Sequence, residues 1–173
     1  MVDWSSLNAV FLDMDGTLLD LHFDNHFWLE HLPARYAEHY DLHPQEAKDR
    51  LIPMIMAERG SLNWYCTDFW SEQVGFDIVP HKHTLKHLIR ERADAFAFLA
   101  AVKASGRRLI LATNAYRSSL ELKLTVQRFG DYFDAMVSSH DYGYAKEAQA
   151  FWQQLCAQQR IDPARSVFVD DSE

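Results

Sequence analysis

Hydrophobic and polar positions give the chain two textures. Four short runs, "AVFLD" (9–13), "RLILAT" (108–113), "AMVSS" (135–139) and "SVFVDD" (166–171), are rich in Val, Ile, Leu or Phe and lack clean polar alternation. That pattern predicts parallel strands covered on both faces. Between them, 93–104 and 117–128 read as helices, the first stopped by Gly106 and the second by Gly130. The stretch 146–159 reads as a third helix, with "IDPARS" turning into the last strand. Strands alternating with helices predict an α/β fold with a doubly wound parallel sheet. No internal repeat or low-complexity segment interrupts it.

Residues 20–88 differ. No strand pattern occurs there, while "FDNHFWLEHLPARYAEHY", "PQEAKDRLIPMIMAE" and "LNWYCTDFWSEQVG" all read as helical, punctuated by Pro33, Pro44, Pro53 and Pro80. The segment is too long for a plain crossover between strands. It predicts a helical cap over the strand ends, inserted into a core made of 1–19 and 89–173.

Composition narrows the functions. The 173 residues are 48% hydrophobic and 24% charged, enough for one α/β core plus an insertion. A net charge of −8 and a pI near 5.5 argue against a protein that coats a nucleic acid polymer. A small anionic substrate needs only a few local cations or a metal. The opening "MVDWSSLNAV" lacks a basic stretch followed by an apolar run, so no signal peptide is expected. No stretch approaches the roughly 18 apolar residues of a membrane span. Two distant cysteines, Cys66 and Cys156, fit a reducing cytoplasm.

Ligands of open parallel sheets bind at the carboxyl ends of the strands. Asp13 and Asp15, Thr113 and Asn114, Ser138 and Ser139, and Asp170 and Asp171 all fall at such ends. Carboxylates from two strands make a hard oxygen cage suited to Mg²⁺, which would relieve their mutual repulsion. A calcium loop counted from Asp13 fails, because its sixth position is Leu18 and its twelfth Asp24. A solvated turn explains an isolated "DMDG", but not matching polar groups on three further strands.

"DMDGT", "ATN", Lys146 and "VDDS", in that order, resemble the four motifs of the haloacid dehalogenase superfamily of phosphotransferases. The insertion after the first motif resembles the helical cap of its subclass I. "LLDLHFDNHFW", "SLNWYCTDFWSEQVGFDI" and "FVDDSE" are similar to the bacterial GMP/IMP (purine) nucleotidases. The resemblance implies that Asp13 attacks phosphorus to give an aspartyl-phosphate, and that Asp15 protonates the leaving alcohol. It implies Mg²⁺ held by Asp13, the Asp15 carbonyl and Asp171, with Asp170 as second contributor or as a partner just outside the ligand sphere. It implies that Lys146 neutralises the phosphoryl oxygens and holds Asp13 ionised, while Thr113 and Asn114 donate to those oxygens. Gly16 would let the chain turn out of the strand, and Thr17 would bond nearby backbone. Glu147 departs from the proline that many relatives carry after the lysine, although glutamate suits the first turn of a helix. Such relatives continue past the point where this sequence stops. "SVFV" is therefore expected to be an edge strand and the acidic pair to be loosely supported, with lower stability and activity than in an extended chain.

Three further features stand apart. His81, His83 and His87 crowd "HKHTLKH", the last two one helical turn apart as zinc ligands can be, but a solvated face explains them without a third partner. Trp64, Tyr65, Phe69 and Trp70 could stack a nucleobase or form the cap's own core, with 65 and 69 on one helical stripe. Arg35, Lys48 and Arg59 read as solvated-face residues. The sequence thus predicts a cytoplasmic 5′-nucleotidase for purine mononucleotides, with no membrane partner and an open oligomeric state. A sugar-phosphate or phosphoglycolate phosphatase is an alternative. So is an inactive nucleotide- or protein-binding remnant. A C–halogen hydrolase would need neither Asp15 nor the metal cage.

Overall fold

The computed structural model describes residues 3–171; Met1, Val2, Ser172 and Glu173, and with them the end of the fourth motif, lie outside the described residues. Four strands form one parallel sheet: β1 (Ala9–Leu12), β2 (Arg108–Thr113), β3 (Ala135–Ser138) and β4 (Ser166–Val169), in the order β3-β2-β1-β4. The helices are α1 (His22–His26), α2 (Leu32–Tyr40), α3 (Pro44–Ala57), α4 (Thr67–Val74), α5 (Val79–Thr84), α6 (Ala95–Ala104), α7 (Arg117–Val126) and α8 (Gln149–Gln159). This is the doubly wound α/β arrangement that the apolar runs predict.

The sheet has two covered faces because side chains alternate along each strand. Val10, Leu12, Leu109 and Leu111 join one core cluster with Leu99 and Val102 of α6 and Leu120 and Leu122 of α7. Ala9, Phe11, Ile110 and Ala112 face the other way, onto Phe151 and Leu155 of α8. Polar alternation is missing from β1 and β2 for this reason. Strand β4 is half-buried along its whole length and, among the described residues, lies at the edge of the sheet beside β1.

Residues 20–88 are helical, as their pattern predicts. The first cluster continues into them through Phe23, Phe27, Leu51, Ile55, Trp70, Val74 and Ile78. The two ends of the segment run side by side: Asp20 N–H donates to Arg90 O at 3.0 Å and Arg92 N–H to Leu18 O at 2.8 Å. A segment pinned at both ends in this way can be inserted without disturbing the sheet.

The breakers act differently from their local reading. Pro53 lies inside α3 and does not end it, because the buried face Ala47, Leu51 and Ile55 outweighs the roughly 3 kcal/mol cost of an interior proline. Pro33 sits in the first turn of α2, and the chain widens into a π turn (Phe27–His31) just before it. Proline has no amide hydrogen to close the ordinary turn, which a π bulge accommodates. Gly106 follows α6 at φ +74°, as a helix stop should. Gly130 is not the stop of α7, which ends at Val126 when Gln127 turns extended. The third helix starts at Gln149, three residues later than expected.

Candidate active site

The ends of β1 and β4 bring the acidic residues together. Asp13 follows β1 directly, and its N–H donates to Val169 O of β4 at 3.0 Å, so the two strand ends stay in register. Buried Met14 then turns inward, leaving Asp13 and Asp15 on either side of it. The chain doubles back at once: Leu18 and Leu19 N–H both donate to Met14 O at 2.9 Å. Gly16 makes that reversal possible at φ +86°, and a Cβ there would lie 2.0 Å from Asp171 Oδ2. Thr17, expected to bond the backbone, instead has a buried hydroxyl with no hydrogen-bond partner among the described residues.

Asp13, Asp170 and Asp171 each present a carboxylate oxygen within 4.8 Å of the other two. Lys146 lies between two of them, its Nζ 2.5 Å from Asp13 Oδ1 and 2.8 Å from Asp170 Oδ2. Burial pushes the Asp13 carboxyl up to about 7, against the opposing pull of Lys146. Burial works to lower the Lys146 ammonium, but Asp13 and Asp170 outweigh it and hold the group above its usual range.

The second strand brings Thr113 and Asn114 to the same rim. Asn114 Oδ1 accepts from Lys146 N–H at 2.9 Å, and its amide nitrogen donates to both Glu147 oxygens at 3.1 Å. Glu147 precedes the helix and anchors Asn114, rather than occupying a first helical turn. Thr113 Oγ1 accepts from Ala115 N–H at 3.0 Å. Ser138 donates to Ala115 O at 2.7 Å, which ties β3 to the loop after β2. Neither Ser138 nor Ser139 lines the cavity described below.

Local pattern alone leaves three charged residues unnoticed. Lys123 of α7 is buried, with Nζ 2.6 Å from Asp15 Oδ1 and 2.6 Å from Asp24 Oδ2. Lys82 of α5 is buried too, 3.7 Å from Asp24 Oδ1 and 4.4 Å from the centre of the Phe27 ring. Burial pushes the Asp15 carboxyl up and lowers the Lys82 ammonium to about 8. The hint in the sequence is a lysine flanked by Leu122 and Leu124, three positions after Leu120, on the apolar face of a helix.

These groups line one cavity of about 420 Å³, together with Leu21, Asn25, Trp28, Arg59, Trp64 and Tyr65. The four aromatics of the third cap stretch therefore divide. Trp64 and Tyr65 reach the cavity, whereas Trp70 is 1% exposed in the core and its Nε1 donates to Trp64 O at 3.2 Å. Tyr65 lies outside α4, which starts at Thr67, so it shares no helical stripe with Phe69. Arg35 and Lys48 pair on the surface with Glu38 and Glu30, but Arg59 belongs to the cavity wall. His83 and His87 are both exposed, and α5 ends between them. Among the described residues, the three aspartates are the cluster with metal-binding geometry.

Residues 7–173 match the model of a known family, described as haloacid dehalogenase-like hydrolase. The chain belongs to that family. This hydrolase is 39% identical over 172 residues to the GMP/IMP nucleotidase YrfG of Escherichia coli K12, and equally to that of Shigella flexneri. The match covers 99% of this chain and 78% of the relative. The fold is similar to that of a HAD phosphatase from Thermococcus onnurineus, with a TM-score of 0.85 at 22% identity, covering 96% of this chain and 78% of that one. It is also similar to the L-2-haloacid dehalogenase of Xanthobacter autotrophicus, with a TM-score of 0.59 at 18% identity, covering 94% and 69%. Haloacid dehalogenase-like hydrolases generally use a divalent metal, and three convergent carboxylates are a donor set that fits one. No helix among the described residues is long and apolar enough to cross a membrane.

Proposed function

We propose that the chain is a Mg²⁺-dependent phosphomonoesterase that hydrolyses purine nucleoside 5′-monophosphates through an aspartyl-phosphate on Asp13. The observation that carries this reading is the placement of Asp13. It is a buried carboxylate on a cavity wall, bonded to one cation and grouped with two further carboxylates. The purine substrate rests on the 39% identity to the GMP/IMP nucleotidase and on Trp28, Trp64 and Tyr65 in the cavity wall, which offer stacking surface.

Residues 1–19 and 89–173 form the core that does the chemistry, and 20–88 form the cap that selects the leaving group. Asp13, Asp170, Asp171 and the Asp15 carbonyl would hold the cation. Bound there, Mg²⁺ supplies positive charge that keeps Asp13 ionised and offsets the charge of the phosphate. Asp13 attacks phosphorus, and the ester oxygen leaves with a proton from Asp15. Asp15 then takes a proton from the water that opens the acyl phosphate, which frees phosphate and restores both carboxyl groups. Lys146 neutralises phosphoryl oxygens, and the Thr113 hydroxyl donates to them. Asn114 shares one amide hydrogen between the two Glu147 oxygens and can donate its second to phosphate, while its Oδ1 fixes the backbone of Lys146. Both cysteines are unbridged, in keeping with a cytoplasmic enzyme.

The test is phosphate release with Mg²⁺ across nucleotides and sugar phosphates. GMP and IMP should lead the ranking. A ranking led by sugar phosphates would overturn the purine reading, and no release from any ester would overturn the reaction.

A further inference from the structure

We propose that Lys123 is a positioning residue for Asp15, itself fixed from the far side by Asp24. The proposal rests on the phosphomonoesterase reading above, in which Asp15 donates the proton to the leaving group.

Four charged groups form one chain, Asp15–Lys123–Asp24–Lys82, in which two carboxylates alternate with two ammonium groups. The lysine side chains are 2% exposed at Lys123 and 4% at Lys82. Removing an ion from water costs several kcal/mol unless close partners restore the lost solvation. Lys123 meets that requirement with two carboxylate bonds of 2.6 Å, its Nζ lying 5.5 Å from the centre of the Phe23 ring. Its ammonium therefore has no solvent-exposed alternative, and the Asp15 oxygen bonded to it is fixed as well. Among the described residues no protein group bonds Asp15 Oδ2, which leaves that oxygen for the substrate. One oxygen anchored and one open is the arrangement a proton donor needs, because proton transfer works only within hydrogen-bond reach of the leaving atom.

The anchor spans three segments. Lys123 comes from α7, Asp24 from α1 and Lys82 from α5. Lys82 also lies 5.0 Å from the Trp28 ring centre and 5.2 Å from that of Phe23, so aromatic faces hold the outer end of the chain. The 20–88 segment thus reaches Asp15 through charge as well as shape.

The experiment compares two esters that differ in their need for a proton. A nucleoside 5′-alcohol is a poor leaving group and needs one; p-nitrophenolate is a good one and does not. The quantity is kcat/KM, which reports transfer to Asp13 and not the later hydrolysis common to both. In Lys123→Met, kcat/KM for GMP should fall roughly 100-fold, within the range typical of general acid catalysis, and for p-nitrophenyl phosphate less than about 5-fold. Asp24→Asn keeps the shape but loosens Lys123, and should give the same asymmetry at roughly 5-fold on GMP. Far-UV circular dichroism and melting curves establish that each variant is folded; if Lys123→Met does not fold, Asp24→Asn decides. An equal loss on both esters in a folded variant would overturn the positioning role while leaving the phosphatase reading intact. A parent chain that hydrolyses neither ester would overturn the phosphatase reading, and this role with it.

Discussion

Gly16→Ala should weaken divalent cation binding without dismantling the fold. The methyl group would arrive 2.0 Å from Asp171 Oδ2, 2.2 Å from its Cγ and 2.6 Å from Oδ1. Ordinary contact begins near 3.4 Å, so the carboxylate must retreat by about 1.4 Å. Asp171 is exposed and can swing away, which makes the clash cheap for folding but costly for the cluster it leaves. The backbone adds a second cost, because φ is +86° and the left-handed region disfavours alanine by roughly 1–2 kcal/mol. Mg²⁺ demands near-ideal octahedral geometry, and disturbing the supports of a ligand typically costs about 10–100-fold in metal affinity. The assay is the rise in melting temperature on titrating Mg²⁺, with phosphate release measured over the same range. The midpoint should move at least about tenfold higher, roughly 1.4 kcal/mol of binding. Asp171→Asn should move it similarly, and the double variant should add little, because both changes remove one carboxylate from one site. An unchanged Mg²⁺ midpoint with only a lower melting temperature would refute the reasoning.

Other outcomes follow from the same geometry. Asp13→Asn should abolish phosphate release, because an amide cannot attack phosphorus; turnover within tenfold of the parent would refute its role. Without metal the same variant should also change stability with pH. Asp13 binds its proton more tightly folded (about 7) than unfolded, so the parent loses stability as pH rises from about 4 to 7. Asp13→Asn should therefore melt higher than the parent at pH 8 in EDTA and close to it at pH 4; the reverse order would contradict the burial argument. Trp70→Ala should destabilise by about 3–5 kcal/mol, as expected for a large buried aromatic, whereas Trp64→Ala should mainly raise KM for nucleotides and spare small esters. Urea titrations and a two-substrate comparison distinguish them, and equal effects on both substrates would remove Trp64 from base recognition. Inorganic phosphate should bind by calorimetry with Mg²⁺ present and not in EDTA; equal binding in both would refute a metal-dependent anion site.

The parts legible in the sequence are those that local rules decide. Strands buried on both faces must be apolar at successive positions, so β1 and β2 announce themselves, and carboxylates just beyond a strand end can only point to the rim. Asp13, Lys146, Asp170 and Asp171 are legible because their motifs come in order, although they meet across long separations. Other features depend on tertiary packing. Pro53 reads as a break and is carried through by the buried face of α3. The start of α4 is hidden because its cap is Cys66, whose Sγ accepts from Phe69 N–H at 3.4 Å in place of the usual Ser, Thr or Asp. That single shift decides which aromatics reach the cavity. Lys123 and Asp24 go unnoticed in the sequence because each is defined by a partner about a hundred positions away.

The charges on the cavity wall explain why so acidic a site suits an anionic substrate. Its carboxylates are Asp13, Asp15, Asp24, Glu147, Asp170 and Asp171, and its cations Arg59, Lys82, Lys123 and Lys146. Fully ionised, the wall carries two negative charges more than it can balance. The inner pair of lysines, Lys82 and Lys123, is spent on Asp15 and Asp24, so it offers a phosphate nothing. Of the remaining cavity-wall cations among the described residues, Lys146 bonds Asp13 and Asp170, so the excess negative charge gathers where three carboxylates converge. Burial resolves it without metal by raising the Asp13 carboxyl toward neutrality, which is the one state in which Asp13 cannot be a nucleophile. A divalent cation bound by the three carboxylates would cancel the same excess while leaving Asp13 ionised. The apolar strand can therefore end in like charges because the described cavity wall holds more carboxylates than cations, an excess that a bound divalent cation would balance.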